Sequence, residues 1–254
     1  YENRMHESVY RILDILEENQ LKACFFVIGW VARENPELIK EICRRGNEVG
    51  MHSYTHQLIF QQSWNEFRED IATNRKIIED ITGNSPVSYR APGFSIMEST
   101  CWAFEVMAEE GIIYDSSVFP TNRNHGGFRR FPYNQPCIIE TANASIKEFP
   151  VNTYDLLGEM IVFSGGGYFR LMPYKLIKYF TKRSDYVMSY FHPADLDKDK
   201  PMMKSLPWIR RFRAYYGIKD SETKLRRWLN DFEFTDLKTA ASQTDWSKVP
   251  VMKL

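Results

Sequence analysis

Residues 23–56 read A-C-F-F-V-I-G-W-V-A-R-E-N-P-E-L-I-K-E-I-C-R-R-G-N-E-V-G-M-H-S-Y-T-H. Ala23 to Ile28 is a continuous apolar run closed by Gly29, which predicts a buried strand. Asn35-Pro36 then sets a capping side chain ahead of a proline at the first helical position. The ridge Leu38, Ile39, Ile42 follows, and Gly46 marks the stop. Glu48 to Met51 reads as a second short strand. Strand, helix and strand in this order predict a βαβ unit, and hence a parallel sheet.

The alternation continues on both sides of this stretch. Val9, Ile12, Leu13 and Leu16 are spaced as one helix face ahead of the first strand. Ser63 and Glu66 have capping-box spacing at the head of a helical pattern through Ile71, Ile77, Ile78 and Ile81 to Gly83. Further strands are predicted over Pro86 to Tyr89, Ile112 to Tyr114 and Tyr186 to Phe191, with a helix over Trp102 to Met107. Between Val118 and Glu148 the helical period is lost and Asn, Gly, Pro and Arg accumulate, which predicts a long excursion over one face of the sheet. Beyond Pro201 the pattern is that of a helical tail. The predicted fold class is α/β.

Composition narrows the function. With 254 residues and 43% hydrophobic content the chain can bury a full core. Its 33 basic and 33 acidic side chains cancel, so no overall field gathers nucleic acid or an anionic membrane, and a neutral partner is expected. No apolar run approaches the roughly 18 residues needed to span a bilayer, and the first residues show no signal-peptide pattern. Cys24, Cys43, Cys101 and Cys137 form no C-x-x-C pair, and Cys24 and Cys101 lie in apolar stretches. A reducing, cytoplasmic compartment is the expectation.

Polar candidates cluster where the predicted strands end: His52 and His56, then Arg90, then Asp115, then His192. In α/β sheets and barrels the C-terminal strand ends and their loops converge on one face, where sites collect. Taken alone, His52-x-x-x-His56 reads either as a metal-binding pair or as a surface turn or satisfied core pair.

In order and spacing, G-M-H-S-Y-T-H (50–56), Y-R-A-P-G-F (89–94), Y-D-S-S (114–117) and Y-F-H-P (190–193) resemble four of the five motifs of the polysaccharide deacetylase superfamily (NodB homology, carbohydrate esterase family 4). The likeness is nearest to a bacterial branch associated with exopolysaccharide and surface-polysaccharide synthesis. It extends through S-G-G-G-Y-F-R-L (164–171) into the tail. It implies a distorted (β/α)7-type barrel with a helical C-terminal tail. Residues 1–254 would form a single deacetylase-like domain, with 1–197 a barrel lacking its first strand and 198–254 a C-terminal extension.

The resemblance further implies a divalent metal, zinc first among candidates, held by His52 and His56 and by an aspartate of an early motif. Two imidazoles and a carboxylate leave one position of a zinc site open, and there the pKa of water falls from 15.7 to about 7. His192 matches the general acid that protonates the departing amine. Asp115 matches the fourth motif and would orient His192 or a neighbouring loop; a turn or cap aspartate is the competing reading. Arg90 matches the arginine that holds the base aspartate. Gly93 falls where a backbone N–H faces the developing oxyanion, with Phe94 a candidate sugar-stacking surface. The aspartate motif, which supplies the third ligand and the general base, is expected upstream of Tyr1.

The implied activity is removal of N-acetyl groups from amino sugars of a glycan or its precursor. A hydrolase of another, cyclic amide is a rival, as is a deacetylase-like glycan-binding module without catalysis. Other signals lead elsewhere. Ser164-Gly165-Gly166-Gly167 lacks the G-K-[ST] of a phosphate loop and predicts a tight bend or close backbone approach. The run Asp195 to Asp199 fails as a calcium loop, because Lys200 and Leu206 take the glycine and glutamate positions. Arg210, Arg211 and Arg213 between Trp208, Phe212 and Tyr215 predict a packed amphipathic tail rather than a nucleic-acid surface. His125-Gly126-Gly127 would line the cleft or simply expose a loop.

Overall fold

The computed structural model describes residues 4–121 and 126–254. In chain order the first elements are α1 (Met5–Glu18), β1 (Cys24–Val27), α2 (Gly29–Glu34), α3 (Pro36–Arg44), β2 (Glu48–Met51), α4 (Trp64–Thr82), β3 (Ser88–Tyr89), α5 (Trp102–Glu109) and β4 (Tyr114–Asp115). They continue with β5 (Cys137–Glu140), β6 (Ser145–Glu148), β7 (Tyr154–Leu156), β8 (Glu159–Ile161), α6 (Gly166–Leu171), α7 (Tyr174–Lys182), α8 (Trp208–Tyr215), α9 (Ile218–Asp231), α10 (Leu237–Gln243) and β9 (Val251–Lys253). The chain divides into two compact units. A sheet unit comprises Lys22–Asn152 and Asp236–Leu254, and a helical unit comprises the residues up to Leu21 together with Thr153–Thr235.

The sheet unit carries a seven-stranded sheet in the order β1-β2-β3-β4-β6-β5-β9. All neighbouring pairs are parallel except the β5/β6 hairpin. The α/β class is as predicted, but among the described residues the sheet is open, with β1 and β9 at its edges. That position explains one difference from expectation: the apolar run Ala23 to Ile28 is half-buried rather than buried, because β1 pairs with β2 alone.

Local signals account for most of the rest. Ser63 and Glu66 form the predicted capping box, with Ser63 N donating to Glu66 Oε2 at 2.7 Å, and α4 ends on Gly83 in the left-handed region at φ 72°. Pro36 opens α3 as predicted. Asn35 does not cap it, since its side-chain amide donates back to Val31 O of α2 at 2.9 Å. Strands β5, β6 and β9 were not legible. The first two are four-residue segments inside the irregular excursion, and β9 is three residues after a helical tail. The strand expected over Tyr186 to Phe191 is reduced to one bridge, Gly165 to Tyr190.

The helical unit packs around Ile15, Phe163, Phe169, Ile177, Phe180, Leu196, Leu225 and Trp228. Trp228 is fully buried, and its indole N–H donates to Thr181 Oγ1 at 2.9 Å, satisfying the one polar atom that burial would otherwise strand.

Candidate functional site

Parallel register sets the site of the sheet unit. Val27, Met51, Tyr89, Asp115 and Glu148 form one row across β1, β2, β3, β4 and β6. The ladder continues one residue further, with His52 N donating to Val27 O, Arg90 N to Met51 O and Ser116 N to Tyr89 O, each at 3.0 Å. His52 and Arg90 therefore stand at the same C-terminal end of the sheet, as their spacing predicts.

His52 Nδ1 lies 2.6 Å from Arg90 O. A carbonyl oxygen only accepts, so Nδ1 carries the proton and the ring's lone pair sits on Nε2. This is the tautomer a metal-ligating imidazole needs, fixed by the kind of backbone contact that orients such ligands. The His56 ring lies 5.1 Å away, centroid to centroid, at 75°. Ser53 and His56 both have φ 63°, and these two left-handed turns fold the second imidazole back beside the first. Backbone of this kind costs about 1–3 kcal/mol per residue and persists only where its surroundings enforce it.

Helix α4 provides that enforcement, through two residues the sequence reading missed. Asp70 Oδ2 accepts from Ser53 Oγ and Tyr54 N, both at 2.9 Å, and Asn74 Nδ2 donates to Ser53 O at 3.0 Å. Burial raises the Asp70 carboxyl above its ordinary range, partly offset by the hydrogen bonds from Tyr54 and Ser53. Gly29 belongs to the same support, since a Cβ there would fall 2.8 Å from Asn74 Oδ1. A signal existed in the sequence: Asp70 and Asn74, four apart, lie on a helix face otherwise carrying Phe67, Ile71 and Ile78. For a zinc ion held by His52 and His56, Asp70→Ala, which releases the Ser53 turn between them, is expected to lower affinity about 10- to 100-fold. A chelator-competition titration measures this, and unchanged affinity contradicts it.

Arg90 reaches across to β4. Its Nε donates to Ser116 O at 2.9 Å and its Nη2 to Ser116 Oγ at 2.6 Å, and its guanidinium lies 4.5 Å from the Phe26 ring centroid. Gly93 turns the following loop at φ 62°. Phe94 corrects an expectation: it is 5% exposed and packs 5.1 Å from the Phe119 ring, so its face is not available for stacking on sugar. Gly127 N donates to Phe94 O at 2.9 Å, and a Cβ on Gly126 would fall 2.2 Å from that oxygen. His125 lies outside the described residues.

Asp115 is fully buried, accepts from Ser117 Oγ at 2.5 Å and from Ser117 N at 3.2 Å, and thus shapes its own loop. Its neighbour in the row is Glu148, also fully buried, which accepts from Val118 N at 3.1 Å and shares a hydrogen bond with Asp115. Burial, then the Asp115 charge, pushes the Glu148 carboxyl well above its ordinary range, so Glu148 holds the proton of the pair. A carboxyl raised by folding contributes stability at low pH that is lost as pH rises through the free-carboxyl value of about 4.3 and on toward the raised one. Glu148→Gln removes that loss, so the variant is expected to gain stability relative to wild type between pH 4 and pH 8, roughly the span between the free carboxyl and neutrality. Urea unfolding at both pH values checks it, and a pH-independent difference contradicts it.

His192 sits in the helical unit, where the glycine motif positions it. Gly166 N donates to Tyr190 O at 2.9 Å, and a Cβ on Gly165 would lie 2.2 Å from the same oxygen, the close backbone approach predicted for this motif. Two residues on, the His192 side chain is 68% exposed, with Nδ1 3.2 Å from Asp195 Oδ2. His192 N also donates to that oxygen at 2.9 Å. Arg170 Nε pairs with Asp195 Oδ1 at 2.9 Å. Burial pushes the Asp195 carboxyl upward, but the His192 contacts and the Arg170 charge outweigh it and hold it below its ordinary range. The carboxylate touching His192 is therefore Asp195, while Asp115 serves the neighbouring loop. Asp197, in the same acidic run, is forked by Arg4 at 2.9 and 3.0 Å.

Among the described residues no group of three His, Cys, Asp or Glu side chains gathers to hold a metal. The tautomer of His52 and the placement of His56 fit two ligands of such a site.

Residues 1–108 match the family Polysaccharide deacetylase, and residues 116–242 match Domain of unknown function (DUF3473). A peptidoglycan-N-acetylglucosamine deacetylase of Bacillus cereus is 32% identical over 100 residues, covering 39% of this chain and 36% of that protein. The peptidoglycan-N-acetylmuramic acid deacetylase PdaC of Bacillus subtilis is 38% identical over 82 residues, covering 32% of this chain and 18% of that protein. Among solved structures, a protein assigned as a polysaccharide deacetylase from Mycobacterium smegmatis superposes with a TM-score of 0.65 at 21% identity, over 97% of this chain and 80% of that one. A CE4 family pseudoenzyme from Bacillus anthracis superposes with a TM-score of 0.52 at 14% identity, over 99% and 64%. These two likenesses concern the fold.

Proposed function

We propose, for a chain that belongs to the polysaccharide deacetylase superfamily, that it is a hydrolase removing N-acetyl groups from amino sugars of a glycan or glycan precursor. The observation that carries this reading is the His52–Arg90 O contact with His56 alongside, two imidazoles oriented at the C-terminal end of a parallel sheet. His52 and His56 would hold a divalent cation, zinc first among them, with a carboxylate outside the described residues as third ligand. Such an ion, when bound, polarises an amide carbonyl and acidifies water.

The chain's own residues do the rest. Arg90 and Ser116 fix the loop entering the Arg90-Ala91-Pro92-Gly93 turn, whose Gly93 N–H is the proposed donor to the developing oxyanion. His192, with Asp195 holding its ring, delivers a proton to the departing amine. In this reading residues 1–254 are one deacetylase-like domain, working in a reducing, cytoplasmic compartment. Acetate release from N-acetylglucosamine oligomers, set against turnover of a cyclic ureide, tests the substrate class. Turnover of the ureide alone overturns it.

A glycan-binding module is the second reading, favoured by one observation: the described residues bring two candidate ligands together and no third. It requires glycan binding by a zinc-loaded protein that releases no acetate.

A further inference from the structure

The sequence predicts α8 to pack its aromatic face into the molecule, and the structure does the opposite. No residue of α8 is buried. Trp208 is 72% exposed, and Ile209, Phe212 and Tyr216 are exposed beside it, with the Phe212 and Tyr216 rings 4.7 Å apart. The helix is held by polar contacts instead. Arg170 Nη1 donates to Tyr216 O and Nη2 to Arg213 O, both at 2.9 Å, which satisfies carbonyls at the C-terminal end. Gly217, at φ 71°, closes the helix where a Cβ would lie 2.5 Å from Arg170 O.

Tyr215 extends the same surface backward. Its hydroxyl accepts from Met203 N at 2.8 Å and donates to Pro201 O at 2.7 Å, which fixes the segment carrying the exposed Met202 and Met203 against the helix. An apolar surface of Met, Trp, Ile, Phe and Tyr is thus anchored from behind and left uncovered.

Charge identifies what fits it. Although the whole chain is neutral, Lys200 to Lys219 contains six basic residues (Lys200, Lys204, Arg210, Arg211, Arg213 and Lys219) and no acidic one. Arg210, Arg211 and Arg213 are exposed, and among the described residues none of the three has a carboxylate partner. A second copy of this surface would set cations against cations. An anionic bilayer surface complements both features, because aromatic side chains settle at the headgroup level while Lys and Arg extend to the lipid phosphates. No described helix is long and apolar enough to cross a membrane.

We propose that α8, with the Met202-Met203 segment, docks this protein on the surface of an anionic lipid bilayer. The inference rests on α8 and not on the proposed hydrolysis. Its test is co-sedimentation of the chain with vesicles of phosphatidylcholine alone and with about one quarter phosphatidylglycerol, the anionic leaflet being the attracting field. The expected result is partition at least about tenfold stronger onto the anionic vesicles, weakened by salt. A loss of about tenfold or more is expected both in Trp208→Ala with Phe212→Ala and in Arg210→Glu with Arg211→Glu. All four side chains are exposed, so the variants retain the fold, checked by circular dichroism. Equal partition onto both vesicles, no partition, or partition unaffected by either variant overturns the proposal. So does a wild-type dimer in sedimentation velocity that the aromatic variant dissolves, which would make a second copy the occupant.

Discussion

On the proposed function, replacing His52 by alanine is expected to lower zinc affinity by well over the roughly 10- to 100-fold that follows loss of a residue supporting a metal ligand. The variant lacks one of the two imidazoles, the one that Arg90 O orients through Nδ1 at 2.6 Å. His56 alone, on a left-handed residue, cannot compensate, because a hydrolytic zinc site takes three protein ligands. Elemental analysis of desalted wild type, His52→Ala and a His6→Ala control reads the outcome. His6 lies in α1 of the helical unit, so the control is expected to keep its metal. Equal zinc in all three preparations sinks the assignment.

His192→Gln is expected to lower kcat by about 10² to 10⁴ with little change in KM, the range for loss of a positioned proton donor. Glutamine keeps a hydrogen-bonding group near Asp195, and the side chain is largely exposed, so thermal stability should stay close to wild type. The reading is specific in its electrostatics. The contacts from His192 and the charge of Arg170 hold Asp195 below its ordinary range, so it is ionised beneath the ring. A variant that keeps the wild-type kcat assigns the proton to another group.

Much of this was legible in the residues because it follows from periodicity and punctuation. The run before Gly29, the bracketed helix from Pro36 to Gly46 and the Ser63–Glu66 box are local signals, and each produced the element it predicts. Register then aligned His52 with Arg90 without further information.

What escaped was fixed by partners distant in sequence. Asp70 and Asn74 interrupt the apolar face of α4, but what they serve shows only once the Ser53 turn lies over them. Glu148 belongs to a strand of four residues, too short to show a period, and its meaning comes from Asp115 beside it in the sheet. Phe94 follows a glycine in a loop, where exposure is a fair guess, yet Phe119 claims its ring. The contrary case is α8, whose pattern promised burial. There Arg170 and Tyr215 hold the helix through main-chain atoms and turn its apolar face outward.

The most direct test of the central claim is acetate release from N-acetylglucosamine oligomers by the protein purified as its cell makes it, measured before EDTA treatment, after it, and after zinc is restored. Release is expected to fall to background with the chelator and to return with zinc, and zinc is expected not to restore it in His52→Ala. Release undiminished in a preparation that elemental analysis shows to be free of metal, or none at all from a zinc-loaded protein, would contradict it.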